Sequence, residues 1–504
     1  MLRTLFFVFF LTNLFLSLGC KKTVQVAPVS TPNVSIKMLP GHYASMDKVN
    51  LTLALTRTSS QIPVSEIGIC WEENDTPTVN SNKKWVSYYH SDTIPFVFNG
   101  LTMNTYYNVR GYCISETKVY YTPMIRIKTH ELTSIWTKSF LPNPGSFSVV
   151  DVIKNPASSF SVLSRVALNQ YSTTITGIDT AGNLLWSNNF LNRDPTAFVR
   201  VDDGYIISAK QFVPGGSKVF LIKTDLNGLL VWEKDLSRDN FQNHLQMHLN
   251  NANNISLTTM VYNGISPQGE LVNCFIHDFI LAGTNGQILN ESSYPNVNVY
   301  AVVGPGHCGR DIAFSDGSFL IAYNFTPLGV GYTRTIVQRF SSTRQIAWET
   351  IFPPVGSNEF AYKVIENNGG TIVLTTRGAI PNESINNTTL LTQVDNARGN
   401  ILWRAMFRGA VGSIIDNFPE SIKRSPDNHF YITGLMNNRY PYLLKIDNTG
   451  NIIWDYPITN IGYANARGQS LYISENKEIY LFGVGNNSQA ENARLFIYKT
   501  RETN

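Results

Sequence analysis

Two histidines in "HLQMH", His244 and His248, stand four apart in an apolar, strand-like segment, where a period of two puts both on one face and lets them share a metal ion. No glutamate lies between them to act as the base of a metalloprotease helix. His307 and Cys308 in "GPGHCGRD" set a base beside a thiol, but adjacent residues of a strand point apart. Three acids, Asp311, Asp416 and Glu420, would supply glycan-cleaving chemistry if two of them stood about 5 to 10 Å apart. There is no Gly-x-Ser-x-Gly elbow and no glycine-rich phosphate loop, so neither a cofactor nor a metal site is expected. What remains suits binding. Tyr262, Arg310, Tyr332, Arg408, Arg439, Tyr440, Tyr463 and Arg467 all fall in or beside long connections, and flat aromatics with guanidinium groups fit carbohydrate or peptide.

Those connections have to be held by a scaffold, and the scaffold is written as a repeat. "DTAGNLLW", "DLNGLLVW", "DNARGNILW" and "DNTGNIIW" recur along the chain, ending at Trp186, Trp232, Trp403 and Trp454. Aligned on the last residue, the series runs Trp136, Trp186, Trp232, Asn290, Trp348, Trp403, Trp454, with gaps of 46 to 58 residues. Such a period suits one four-stranded propeller blade with its loops. In the stretch itself, the aspartate accepts hydrogen bonds from the turn, the glycine supplies a positive φ, and Ile452 and Trp454 alternate onto one face of the outermost strand. It reads as a structural joint rather than a ligand motif. The last unit stops one strand short, and Ser134–Phe140 is available to complete it, so seven blades closed by an N-terminal strand are expected over 134–504. Two tight turns per unit would lie on one face and all the long connections on the other. Binding residues concentrate on loops held by a rigid scaffold.

The repeated stretch resembles the tryptophan-docking repeats of pyrroloquinoline-quinone (PQQ) propellers, written loosely Asp-x-x-Thr-Gly-x-x-x-Trp. That resemblance covers only the turn and outer strand of four or five units. Quinone dehydrogenases of that class usually have eight blades, a calcium cluster and a general-base aspartate, and no residues here carry those roles over. A non-enzymatic relative, a propeller lipoprotein that helps assemble outer-membrane barrels, shares the anchor and the repeat style but has no sandwich in front. The stretch also resembles the sialidase Asp-box, without its leading serine.

Residues 33–129 read as short strands between turn-rich loops, the pattern of a β-sandwich. "GLTMNTYYNVRGYC" resembles the sixth strand of a fibronectin type III domain, which implies that Tyr107 ties back to the loop before it; "EIGICWEENDTPTV" and "MIRIKT" fit a variant of that family. The whole fold is therefore expected to be all-β, with a fibronectin type III-like sandwich followed by the propeller.

The beginning of the chain gives an address. A short apolar run ends in Ser17-Leu18-Gly19-Cys20, which resembles a bacterial lipobox; this implies a signal peptide over 1–19, a lipid on Cys20 and a tether over 20–32. Lys21 and Lys22 follow where an aspartate would favour the inner membrane, so the outer membrane is expected, on either side. Cys70, Cys113, Cys274 and Cys308 remain, and their even number permits Cys70–Cys113 and Cys274–Cys308 disulfides or four free thiols. Alternation puts Ile67, Ile69 and Trp71 on the core face and points Cys70 away from it, against the first pair. Forty Lys and Arg against thirty-six Asp and Glu, with no basic tract, argue against a nucleic-acid partner. The chain reads as a membrane-anchored, non-catalytic binding or scaffolding module for a glycan or an envelope protein. The alternatives are a glycan-active hydrolase or lyase with its site in the propeller mouth, and a barrel-assembly scaffold.

Overall fold

The aspartate of each repeated stretch folds its turn. Asp447 Oδ1 accepts the backbone N–H groups of Thr449 and Asn451, both at 2.9 Å, and Asp179 does the same for Ala181 and Asn183 at 2.9 and 2.7 Å. Partial burial alone would raise the Asp447 pKa, but the hydrogen bonds from Asn451 and Thr449 outweigh it and hold the carboxyl below its usual range. The glycine then takes the left-handed conformation, with φ of +87° at Gly450. This places it flat on the tryptophan of the preceding unit: Gly182 on Trp136, Gly228 on Trp186, Gly286 on Trp232, Gly399 on Trp348 and Gly450 on Trp403. A Cβ at any of the five would stand 2.5 to 3.0 Å from the indole. The aspartate makes the turn, the turn presents the glycine, and the glycine seats the neighbour's ring.

The computed structural model describes residues 34–60, 62–86, 92–140, 146–167, 170–214, 216–237, 241–249, 254–262, 274–295, 310–325, 333–353, 358–378, 388–407, 417–487 and 493–503. Every regular element among them is a β-strand. After residue 131 the strands form five antiparallel sheets of four and one sheet of eight. The eight are two four-stranded meanders joined by a single parallel bridge, Ser217 with Phe241. We call each four-stranded meander a unit, counting from Ser146.

The inner strand of each unit touches the inner strand of the next, and that of the last unit, Asn465–Ile473, also touches that of the first, Ser146–Asn155. Six of these inner strands carry a bulge at the same place, as between Val149 and Asp151 or Gly468 and Ser470. The bulged Gln469 uses its amide oxygen to accept the buried N–H of Val149, 2.8 Å away, tying the last unit to the first. The outer strand of the last unit is Leu132–Phe140, paired antiparallel with Arg494–Glu502. Its Trp136 reaches Gly182 of the first unit.

A bulge changes one expectation. Trp454 faces Lys445, but Ile452 faces Ile446, so Ile453 is the extra residue of a β-bulge. Ile453 therefore packs in the cluster around Trp454, and Ile452 joins the layer of Trp403 instead. A similar bulge, at Leu245, separates the two histidines. His244 faces Thr259 and His248 faces Ser256, an odd offset of three rungs, so the simple alternation expected of them is broken.

Residues 34–128 form two sheets, one of four strands and one of five, over a shared core of Leu51, Leu53, Ile67, Ile69, Phe98 and Val109 among others. Tyr107 belongs to that core, and its hydroxyl accepts the backbone N–H of Thr102 at 2.9 Å. Cys70 and Cys113 are both buried and free, the alternative towards which the strand alternation leaned. In the ladder Cys70 faces Arg110 and Cys113 faces Ile67, so the two sit on different rungs. Cys113 joins the core, whereas the Cys70 thiol turns to the carbonyl of Arg110. Burial pushes both thiols up, to about 11.

The sandwich is docked against the sixth unit. The Ser45 hydroxyl donates to the Asp455 carbonyl, and Lys48 Nζ lies 2.9 Å from the fully buried Asp455 carboxylate. Met46 and Leu132 pack in one cluster with Trp454. This cover makes Trp454 completely buried, whereas Trp186, Trp232, Trp348 and Trp403 are only half-buried.

Candidate functional site

Antiparallel meanders put the turns after the first and third strands at one end and all other connections at the other. The tryptophan joints occupy the first end. The second, here the loop face, is where candidate binding groups collect.

At the boundary of the sixth and seventh units the structure brings four expected residues together. Arg439 and Tyr440 come from the turn between strands Phe430–Met436 and Tyr440–Ile446; Tyr463 and Arg467 come from the approach to, and start of, strand Asn465–Ile473. Arg439 lies over the Tyr440 ring at 5.2 Å and donates through Nε to the Ala464 carbonyl at 3.1 Å. Its own carbonyl accepts the N–H of Ala466. Tyr463 rests on Gly485, where a Cβ would meet its ring at 2.5 Å, and faces Phe496 at 5.9 Å. Arg467 Nη1 is 3.4 Å from Glu420, which sits at a bulge of the inner strand Asn417–Arg424.

The other expected residues are not part of this cluster as described. Tyr262 and Arg310 lie on strand ends of the third and fourth units at the loop face, with side chains outside the described structure. Tyr332, Arg408, Cys20, His307, Cys308 and Asp416 lie outside the described residues, and so does the Cys274–Cys308 pairing. Asp311 is placed by its backbone alone, at the start of an inner strand.

A second arrangement on the loop face was not foreseen. Between the first and second units lies a cavity of about 410 Å³, lined by Ala167, Gln170, Tyr171, Asn192, Asp194, Lys210, Gln211 and Phe212. That size falls within the range of small-molecule sites, about 300 to 1,000 Å³. Tyr171 opens the third strand of the first unit, and Phe212 nears the end of the second strand of the second. Their rings are 5.7 Å apart and remain 40% and 56% exposed.

Asp194 faces Lys210 across the ladder and is also paired with Arg165 of the neighbouring unit. Burial raises its pKa, and the attraction of Arg165 and Lys210 offsets this only in part. Arg165 in turn lies over the Tyr171 ring at 5.3 Å, so the ion pair also positions the aromatic. The sequence held one signal for this site. A glutamine precedes the aromatic in both units, as Gln170-Tyr171 and Gln211-Phe212, at strand ends of one face.

Asp151, on the inner strand of the first unit, meets Lys423 of the sixth at 3.3 Å and Ser470 of the seventh at 3.4 Å. Burial would raise the Asp151 pKa, but Lys423 and Lys363 hold it at about 2. Charges from units far apart in sequence are thereby fastened together. His248 is half-buried, and burial lowers its pKa. No group of three or more metal-ligating side chains occurs among the described residues.

No family model and no curated protein matches the chain. Among solved structures, the β-propeller domain of the Trilobed protease from Pyrococcus furiosus is 12% identical with a TM-score of 0.39, over 72% of this chain and 96% of that one. Puromycin hydrolase is also 12% identical with a TM-score of 0.40, over 68% of this chain, which spans 50% of the hydrolase. A thermostable family-43 glycoside hydrolase reaches 7% identity and a TM-score of 0.30.

Proposed function

We propose that the protein is a lipid-anchored, non-catalytic binding or scaffolding module of the outer membrane. Cys20 carries the anchor, residues 33–129 form a fibronectin type III-like stalk, and residues 134–504 form a seven-bladed propeller whose loop face receives a glycan or an envelope protein. The seven-bladed reading is supported by the inner-strand contacts that run from unit to unit and return to the first. The Tyr107–Thr102 hydrogen bond, set in a two-sheet core, supports the stalk.

The observation that carries the binding reading is the division of labour between the two faces. One face is committed to tryptophan joints, while the other gathers Arg439, Tyr440, Tyr463 and Arg467 from separate connections. Glu420, the one acid of the three considered for hydrolysis whose side chain is described, is engaged by Arg467.

The test has two arms. Membranes of cells making wild type or Cys20→Ala are fractionated, and the purified soluble domain is offered glycan arrays and detergent-solubilised envelope proteins. Release of Cys20→Ala and capture of a ligand that Arg439→Ala with Tyr440→Ala weakens are expected. A Cys20→Ala protein that stays in the membrane overturns the anchor, and turnover of an arrayed glycan overturns the non-catalytic role.

A further inference from the structure

We propose that the cavity between the first and second units binds a pyranose ring of a glycan, stacked on Tyr171 and Phe212 and hydrogen-bonded by Gln170, Asn192, Gln211 and Asp194. The inference rests on the binding reading above and gives it a second subsite and a ligand class.

Two aromatic rings 5.7 Å apart, 40% and 56% exposed at a cavity wall, leave paired apolar surface open to a ligand. The C–H face of a pyranose is apolar and faintly positive, which matches the negative face of an aromatic ring. Its edge carries hydroxyls that both donate and accept. Three amides and a carboxylate line the same cavity, and amides offer both roles at once.

Asp194 is the group that makes this a built site. Its side chain is only 8% exposed, yet it borders the cavity and is paired with Arg165. A carboxylate so placed accepts two hydroxyls of one sugar, while Arg165 and Lys210 stabilise its charge. The polar lining argues against a purely apolar ligand, which would strip water from Asp194 and Lys210 without replacing their hydrogen bonds. A volume of about 410 Å³ set between two units suits one or two sugar rings. Within the lining, Lys210 and Asp194 offset each other, so the shared chemistry is the pyranose ring, in a neutral or a uronic glycan.

The experiment uses the full chain in detergent with neutral and uronic oligosaccharides of four to six sugars, by titration calorimetry. Binding to one class is expected, weakened about tenfold or more in Tyr171→Ala with Phe212→Ala and about threefold or more in Asn192→Ala. Both aromatics are exposed, so the variants should keep the wild-type melting temperature, which is measured alongside. Sugar binding that these variants leave unchanged but Arg439→Ala with Tyr440→Ala abolishes overturns this subsite and leaves the binding reading standing. Capture of an envelope protein with no response to either oligosaccharide class does the same. Failure to bind any sugar or any envelope protein overturns both.

Discussion

Arg344 occupies the turn position that is glycine in five sibling units, with φ of +62°, and its neighbour explains why. The preceding unit carries Asn290 where the others have tryptophan, so there is no indole for a glycine to seat. Arg344 instead pairs through Nε with Asp278, donates to the Gly317 carbonyl at 2.8 Å and lies over the Phe319 ring at 5.0 Å. One joint has changed its chemistry from ring-on-glycine to ion pair, and both of its halves changed together. Arg344→Gly should cost up to about 3 kcal/mol, because it strands the half of Asp278 that Arg344 holds. Adding Asn290→Trp should recover part of that loss, a coupling of about 0.5 to 3 kcal/mol in a urea-denaturation cycle. Strict additivity would show that the two positions do not form one joint. At an ordinary joint, Gly399→Ala should lose about 1 to 3 kcal/mol, since φ is +75° and the new Cβ meets Trp348 at 2.5 Å.

At the scale of elements, the sixth unit shows what happens when an outer strand is covered. Trp454 has no glycine turn to rest against, because the strand that follows comes from the opposite end of the chain. Glu502 takes that place, accepting Trp454 Nε1 at 2.8 Å, Lys445 Nζ at 2.8 Å and the Tyr431 hydroxyl at 3.1 Å. The sandwich and the residues that follow it then close over this cluster through Lys48 and His130. Lys48→Ala should cost about 3 kcal/mol, because the buried Asp455 charge is left without its partner. His130 adds a pH dependence. Burial lowers its pKa, Glu502 opposes this, and Lys445 and Lys128 reinforce it. A histidine whose folded pKa lies below its unfolded value is protonated first in the unfolded chain. Its contribution is therefore present above about pH 6.5 and is lost as pH falls below that. Melting temperature should drop between pH 7 and 5, less steeply in His130→Gln; parallel curves would remove His130 from the account.

For the whole molecule the decisive pairing is Leu132–Phe140 with Arg494–Glu502, since it covers an edge that would otherwise template aggregation. Strands joined this way should behave as one cooperative unit despite their separation of more than three hundred residues. Native-state hydrogen exchange should therefore show both strands opening together, at a free energy close to that of their sheet. Fast, independent exchange of Leu132–Phe140 would mean that the fold holds without it. At low pH the centre should loosen as well. Asp151 is held at about 2 by its lysines, so its stabilising charge is present above about pH 4 and is lost as pH falls towards 2.

Much of the fold was legible in the chain because its determinants are local. An aspartate three residues before a glycine makes the turn, alternation makes the strands, and the repeat of the tryptophan marks the units. Tyr440, Tyr463, Arg439 and Arg467 could be assigned to one face from strand order alone. What stayed hidden depends on contacts between units. Each outer-strand bulge shifts parity by one residue, so Ile452 and Ile453 exchange layers without any signal in the pattern. The cavity at Tyr171 and Phe212, the Arg165–Asp194 pair and the docking of Ser45 on Asp455, 410 residues away, require the packed arrangement of separate units. The sequence by itself determined the turns, the strands and the face on which loops gather. Only the tertiary structure decided which side chains meet across unit boundaries, because those meetings follow from the packing of whole sheets and not from any local run of residues.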